Sequence, residues 1–141
     1  MDASPKTIFD IFNGSRNIEV PFFQRAYVWD EPQWERMLED VEDVCLVRNP
    51  NFLGSVILKQ KPTSADRNYG DVRTVIDGQQ RLTTLSILLK VLCLKTGNMP
   101  AFDKRFRLDD NRTVLQHNHN DIQRYTEIMD LEDIQDITHK D

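Results

Sequence analysis

The run from Val72 to Thr96, VRTVIDGQQRLTTLSILLKVLCLKT, restricts what this chain can fold into more than any other. Val72-Arg73-Thr74-Val75-Ile76 is β-branched and predicts a short strand. Asp77-Gly78 breaks it. Gln79 to Thr96 then reads as a long apolar helix, with Leu82, Leu85, Leu88, Leu89 and Leu92 on one face. Ile87, Val91 and Leu94 are apolar too, and a helix apolar nearly all round belongs at the centre of a fold. A strand feeding a glycine turn that opens a helix is a common anion site, because the first helical N–H groups lack internal partners and the peptide dipoles favour negative charge there. Gln79, Gln80 and Arg81 bring two amides and one permanent cation to that first turn.

Asp77 introduces a conflict. It is placed to be the helix N-cap, with Gln80 at the third helical position as in a capping box. Its carboxylate would then compete with a phosphate for the same donors. Either Asp77 is only a cap, or the anion arrives with a divalent metal, Mg²⁺, that Asp77 helps to hold. An Asp-Gly pair before an apolar run is also an ordinary helix start.

At 141 residues the chain is long enough for one domain with a real core. No apolar run approaches the roughly 20 residues that span a membrane. Met1 to Lys6 lacks the pattern of a signal peptide, so a cytoplasmic location is expected. Cys45 and Cys93 fall inside apolar helical patterns and read as buried thiols, with no Cys/His metal spacing. The net charge of −5 comes from the end of the chain: residues 1–126 carry 17 basic and 17 acidic side chains, whereas 127–141 carry six acids against Lys140. A neutral body is not the footprint of a protein held to DNA mainly by phosphate attraction.

Ser4-Pro5 predicts a short helix start, with Ile8, Ile11 and Phe12 on one face. Ile18-Glu19-Val20 is extended and stops at Pro21. Residues 21–29, PFFQRAYVW, hold four of the chain's twelve aromatics around Gln24 and Arg25. Aromatics beside an arginine suit stacking on a base or another planar group. The competing reading is that Phe22, Phe23, Tyr27 and Trp29 pack the core. Asp30 and Gln33 open a helix carrying Trp34, Met37, Leu38, Val41, Val44 and Cys45 on its apolar side. Its other side carries six carboxylates or cations, from Glu35 to Asp43, most simply a solvated face. Asn49-Pro50 ends it.

Phe52 to Leu58 predicts a buried strand, with Gly54 marking a close approach of backbone or ligand. Lys59 to Asp71 reads as a loop. Lys95-Thr96-Gly97-Asn98 ends the long helix, with Pro100 beyond. Phe106-Arg107-Leu108 suggests a short strand. His117 and His119 are expected in an exposed loop without a third ligand. Asn120 is expected to cap a last helix carrying Ile122, Tyr125 and Ile128 or Met129. The expected division is one domain over residues 1–130, followed by an acidic tail or the start of a further helical region over 131–141.

Residues 21–29, then Trp34, then Phe52-Leu53-Gly54-Ser55, then Asp77 to Leu85 (DGQQRLTTL) resemble the DGQQR family. These are the ParB-like amino-terminal domains of GmrSD-type modification-dependent restriction proteins and SspE-type phosphorothioate-sensing defence proteins. The resemblance covers about residues 5–130. It implies a ParB/sulfiredoxin-like α/β (α+β) fold, a small mixed sheet packed by helices with a central buried helix after the DGQQR turn. It associates that turn with nucleotide binding and hydrolysis, and the aromatic block with the same cleft or with sensing modified DNA. Family members often carry an HNH-type nuclease domain, fused or in trans. They continue further than this chain, which holds no HNH-like motif and is expected to be a fragment or a standalone module. Phe23 stands where the family often has Tyr.

Carried over by position, the implied residues are Asp77, Gly78, Gln79, Gln80 and Arg81, with Gln24 and Arg25 beside them. Gly78, Arg81, Gln24 and Arg25 would bind phosphates. Gln79 or Gln80 would orient phosphate oxygens or an attacking water. Asp77 would hold Mg²⁺, and Phe23 or Tyr27 would stack on the base or on DNA. The expectation is an Mg-dependent NTPase that regulates or partners a nuclease in a restriction system. The alternatives are a non-enzymatic sensor of modified DNA and a ParB-like nuclease.

Overall fold

A computed structural model describes residues 3–14, 16–21, 24, 26–47, 53–60, 71–108, 110–117 and 121–133. In order the elements are α1 (Ile8–Ile11), β1 (Arg16–Glu19), α2 (Glu31–Val47), β2 (Ile57–Gln60), β3 (Asp71–Asp77), α3 (Gln79–Thr96), α4 (Met99–Phe106), β4 (Leu115–Gln116) and α5 (Ile122–Met129). The fold is a small mixed sheet with helices, as the α+β expectation required.

The sheet runs β2-β3-β1-β4. β1 is parallel to both β3 and β4, while β2 is antiparallel to β3. This arrangement decides where the sequence motifs meet. The carboxyl ends of β1, β3 and β4 lie at one edge of the sheet, and because β2 runs the other way its amino end joins them, with Ile57 opposite Asp77. The aromatic block leaves β1 at that edge, the Asp-Gly turn leaves β3 there, and Gly54-Ser55 enters β2 there. In open sheets with helical crossovers, the carboxyl ends of parallel strands are where ligands bind.

The core gathers Ile18, Val75 and Leu115 from the sheet with Leu82, Phe102, Phe106, Tyr125 and Met129 from the helices. Phe102 and Phe106, one helical turn apart, stack with ring centroids 4.5 Å apart, and Phe12 tilts against Phe106 at 4.6 Å.

α3 spans the predicted residues. Its N-cap, however, is Gly78, at φ +101°, and not Asp77. The capping box does not form: Asp77 Oδ1 accepts from the N–H of Gly78 itself, 2.9 Å away, and Gln80 faces the protein interior. The C-terminus closes on Gly97 at φ +69°, with the Asn98 N–H donating to Cys93 O. Residues 82–86 are all buried, but Leu92 is 43% exposed. The helix is buried nearly all round only in its first half; in the second half Lys90 is still buried, against α4 and α5, while the opposite side faces out.

Other expectations are corrected. α4 runs through Phe106, and Arg107 forms only an isolated bridge to Thr113. The helix continues because Phe102 and Phe106 fall on one core-facing side. β2 starts later than Phe52–Leu58 predicts, since Gly54 at φ +120° interrupts the extended backbone, and Ile57 sits half-exposed on an edge strand. The first helix starts after Thr7, whose side chain forms a capping box with Asp10, and not after Ser4. Cys45 is exposed and Cys93 half-buried. α5 is capped at Asp121, and Asn120 lies outside the described residues; of the loop expected over Lys59–Asp71, Lys59 and Gln60 belong to β2 and Asp71 to β3, because the two strands pair there, and 61–70 lie outside the described residues. Among the described residues no helix is long and apolar enough to cross a membrane.

Candidate functional site

Where the strand ends meet, two adjoining clefts share Trp29 and Arg81 as walls. The smaller, about 220 Å³, is a polar corner lined by Gln24, Asp77, Gly78, Gln79 and Gln80 besides those two. The larger, about 320 Å³, runs under α2. The fold thus brings together Gln24 and the five DGQQR residues, 53 or more positions apart in the chain. Phe23 and Arg25 lie outside the described residues, as does Phe22.

Arg81 is held in place by backbone. Its Nη1 donates to the carbonyl of Ser55 at 2.7 Å. The guanidinium lies so close over Gly54 that a Cβ there would fall 2.7 Å from Nε and Nη2 and nearer still to the central carbon. The close approach expected at Gly54 is therefore made by a side chain of the same protein. The Asp-Gly turn packs on the same segment: a Cβ on Gly78 would meet Val56 Cγ2 at 3.0 Å and Ser55 O at 3.3 Å. Residues 54–56 set the position of both the turn and the cation beyond it.

Gln80 is turned toward the aromatic block. Its Oε1 accepts from the backbone N–H of Val28 at 2.8 Å and of Trp29 at 3.2 Å, and its Nε2 donates to Ala26 O at 3.2 Å. One buried amide thus satisfies three backbone groups in a stretch with no secondary structure of its own. Gln24 reaches the other way, its Nε2 donating to Ile76 O at 3.3 Å. Tyr27 is tied at both ends. Its N–H donates to Asp121 Oδ2 at 2.8 Å, and its hydroxyl accepts from Trp34 Nε1 at 2.8 Å while lying 2.6 Å from Thr84 Oγ1. The hydroxyl joins α2 to α3.

Asp77 is exposed at the rim. Its Oδ1 accepts from the N–H of Gly78. Among the described residues no group of three His, Cys, Asp or Glu side chains is placed to hold a metal ion. Asp77 is the one carboxylate lining the corner among the described residues, so the corner does not form an all-protein metal cage.

Sequence reasoning missed His117. It is buried on the inner side of α3, its Nε2 2.7 Å from Thr83 Oγ1 and its ring centroid 4.2 Å from that of Tyr125. Its Nδ1 is buried without a hydrogen-bond partner. Burial pulls its pKa from 6.5 down to about 4, with the charge of Asp121 opposing the shift. The apolar run Val114-Leu115 just before it was the available signal. Beyond it, Ser86 Oγ lies 2.8 Å from the Tyr125 hydroxyl, and Lys90 Nζ donates to Met129 O at 2.7 Å. Desolvation raises the Tyr125 pKa and lowers that of Lys90.

Among curated proteins, none matches the chain. A family model described as the GmrSD restriction endonuclease, N-terminal domain, matches residues 8–141, nearly the whole length. The chain therefore belongs to the family of GmrSD restriction endonuclease N-terminal domains.

Proposed function

We propose that this domain binds a nucleoside triphosphate at the corner formed by Gln24 and Asp77–Arg81, hydrolyses it, and thereby regulates a nuclease acting on DNA in a restriction system. The observation that carries this reading is the placement of Arg81. A permanent cation is fixed by Ser55 O and Gly54 beside the glycine turn that opens α3. A preorganised donor of this kind stabilises charge without reorganising at the moment of reaction.

The polyphosphate would lie over the Gly78 turn, where the helix start presents N–H groups and no side chain caps them. Arg81 would neutralise its charge. Gln79 would orient phosphate oxygens or the attacking water, since no strong nucleophile lines the corner. Gln80 would act through position, by holding Trp29 as a wall of the cleft. Gln24 would bind from the opposite side. Mg²⁺, when bound, would add charge neutralisation between the phosphates, with Asp77 as its protein carboxylate. Coupling to the nuclease rests on the family to which the chain belongs.

The test is isothermal titration of GTP, UTP, CTP and ATP with Mg²⁺ against wild type and Arg81→Ala, alongside phosphate release. Binding and release by wild type, both lost in Arg81→Ala, are expected. Equal heats for the two proteins would remove the role given to Arg81.

A further inference from the structure

We propose that the exposed apolar row of α2 is a docking surface for a basic amphipathic helix of a partner polypeptide. The inference is independent of the nucleotide reading above. Over residues 31–46 of α2, Met37 alone is buried. Trp34, Leu38, Val41 and Cys45 stand at i, i+4, i+7 and i+11, so they form one row along the helix. Trp34 is 43% exposed, Leu38 is 45% exposed, Cys45 is exposed and Val41 is half-buried. Met37, beside the row, takes the contact with the body of the protein, and the row itself is left at the surface. It is about 16 Å long at the helical rise. Apolar residues repeated at this spacing are what one helix offers another.

The charge beside the row selects the occupant. α2 carries six carboxylates against one cation, Arg36. Glu31, Glu35 and Glu39 stand at i, i+4 and i+8 with Glu42 among them, and this acidic row runs directly alongside the apolar one. All four are exposed. Like charges at this spacing destabilise a helix, and lysines or arginines laid along the row would relieve that repulsion. The complementary surface is therefore a helix with an apolar face and a cationic flank. A second copy of this chain, packed antiparallel about a two-fold axis, would set the same carboxylates against each other. Nucleic acid and an anionic lipid surface carry the wrong sign for this face.

One end of the row is preorganised. Trp34 Nε1 donates to the Tyr27 hydroxyl at 2.8 Å, and that hydroxyl lies 2.6 Å from Thr84 Oγ1 on α3. The indole is thus held in one orientation while remaining partly exposed. An aromatic side chain already fixed in place loses little freedom on binding, and such anchors carry much of an interface's energy. From Thr84, the same side of α3 continues through Leu88, Val91 and Leu92, at i+4, i+7 and i+8, and Leu92 is among the exposed apolar residues. Trp34 stands where these two apolar rows meet. An occupant seated on it would also touch the segment that Gln80 braces, through Tyr27.

The experiment is titration of the chain, followed by tryptophan fluorescence and calorimetry, with three synthetic peptides. The first has leucine at heptad positions a and d and lysine at e and g; the second has glutamate in place of the lysines; the third has the composition of the first in an order without apolar period. Circular dichroism confirms that each protein variant is folded. Wild type should bind the lysine peptide and neither of the others. Leu38→Asn should weaken that binding roughly tenfold or more, whereas Leu46→Asn, which is exposed but off the row, should leave it unchanged. Glu35→Lys, Glu39→Lys and Glu42→Lys together should transfer the preference to the glutamate peptide. The same reversal at Glu127, Glu132 and Asp133, on and after α5, should not. Equal binding of the lysine peptide and its aperiodic isomer, an unchanged affinity in Leu38→Asn, or a preference that the α2 reversal fails to transfer overturns the proposal. Sedimentation equilibrium of the chain alone should give a monomer; self-association lost in Leu38→Asn would assign the row to a second copy and overturn the basic partner.

Discussion

The guanidinium of Arg81 rests on Gly54, with Nη1 2.7 Å from the neighbouring Ser55 carbonyl, and the two residues are 27 positions apart. The glycine is required twice, by its φ of +120° and by the absence of a Cβ beneath the cation.

Gly54→Ala should therefore strain the backbone and displace Arg81 together. A destabilisation of about 1–3 kcal/mol is expected from the conformation, with a loss of nucleotide affinity of roughly tenfold or more. Gly97→Ala is the control: its φ is +69°, and nothing lies within 4 Å of the added Cβ. It should cost only the left-handed conformation, about 1–2 kcal/mol, and leave affinity unchanged. Urea denaturation and titration calorimetry on both variants separate the two effects.

Gln80→Ala would leave the Val28 and Trp29 N–H groups and the Ala26 carbonyl without their shared partner. A fully buried unsatisfied group costs about 1–3 kcal/mol, and these groups are only part-buried, so the lower end of that range applies. A fall in stability of that order is expected, with loss of the near-ultraviolet circular dichroism contributed by Trp29. Gln80→Glu keeps the two accepted bonds but sets a carboxylate against Ala26 O. It should be more stable than Gln80→Ala at low pH and lose that advantage as the carboxyl ionises.

His117 should make stability depend on pH. Its pKa is depressed from 6.5 to about 4 by burial, so the unfolded chain binds the proton more readily. Stability is complete above the unfolded value. It falls as pH drops from about 6.5 towards 4, by up to about 3 kcal/mol, and levels off below. His117→Gln should lose this dependence over that interval. Urea midpoints at pH 7, 5.5 and 4 measure it.

Lys90 is buried with one backbone acceptor, Met129 O, and its Nζ stands 5.1 Å from the centroid of the Phe102 ring. Desolvation lowers its pKa, so burial penalises its charged form. Arg107 Nη2 also donates to Met129 O, at 2.7 Å, so removing the lysine does not orphan that carbonyl. Lys90→Met should be neutral or stabilising by up to about 1 kcal/mol in thermal or urea unfolding at pH 7. Arg107→Met in the same background should be destabilising, because it removes the remaining donor.

α2, β3 and α3 were legible because each carries a long, consistent pattern. The start of the strand after Gly54 and the end of α4 were not. Gly54 takes a positive-φ backbone on which Arg81 packs, and Phe106-Arg107-Leu108 has strand composition, but Phe106 ends a helix whose aromatics face the core and Arg107 keeps only a bridge to Thr113. The site was legible as residue types. Gln80 looked like a ligand contact in the sequence, and the structure shows a brace on residues 26–29. His117 looked like a loop residue because its partner, Thr83, is 34 positions away.

The linear pattern alone determined that a strand ends at Asp77-Gly78, that a helix begins with two amides and a cation, and that an aromatic block with Gln24 and Arg25 lies upstream. These are local matters of periodicity and turn chemistry. That the block, the turn and Gly54-Ser55 form one cleft was decided by the sheet. β1 runs parallel to β3 and β2 antiparallel to it, which puts two strand ends and one strand start at the same edge. Strand direction depends on long-range pairing, and no local pattern encodes it.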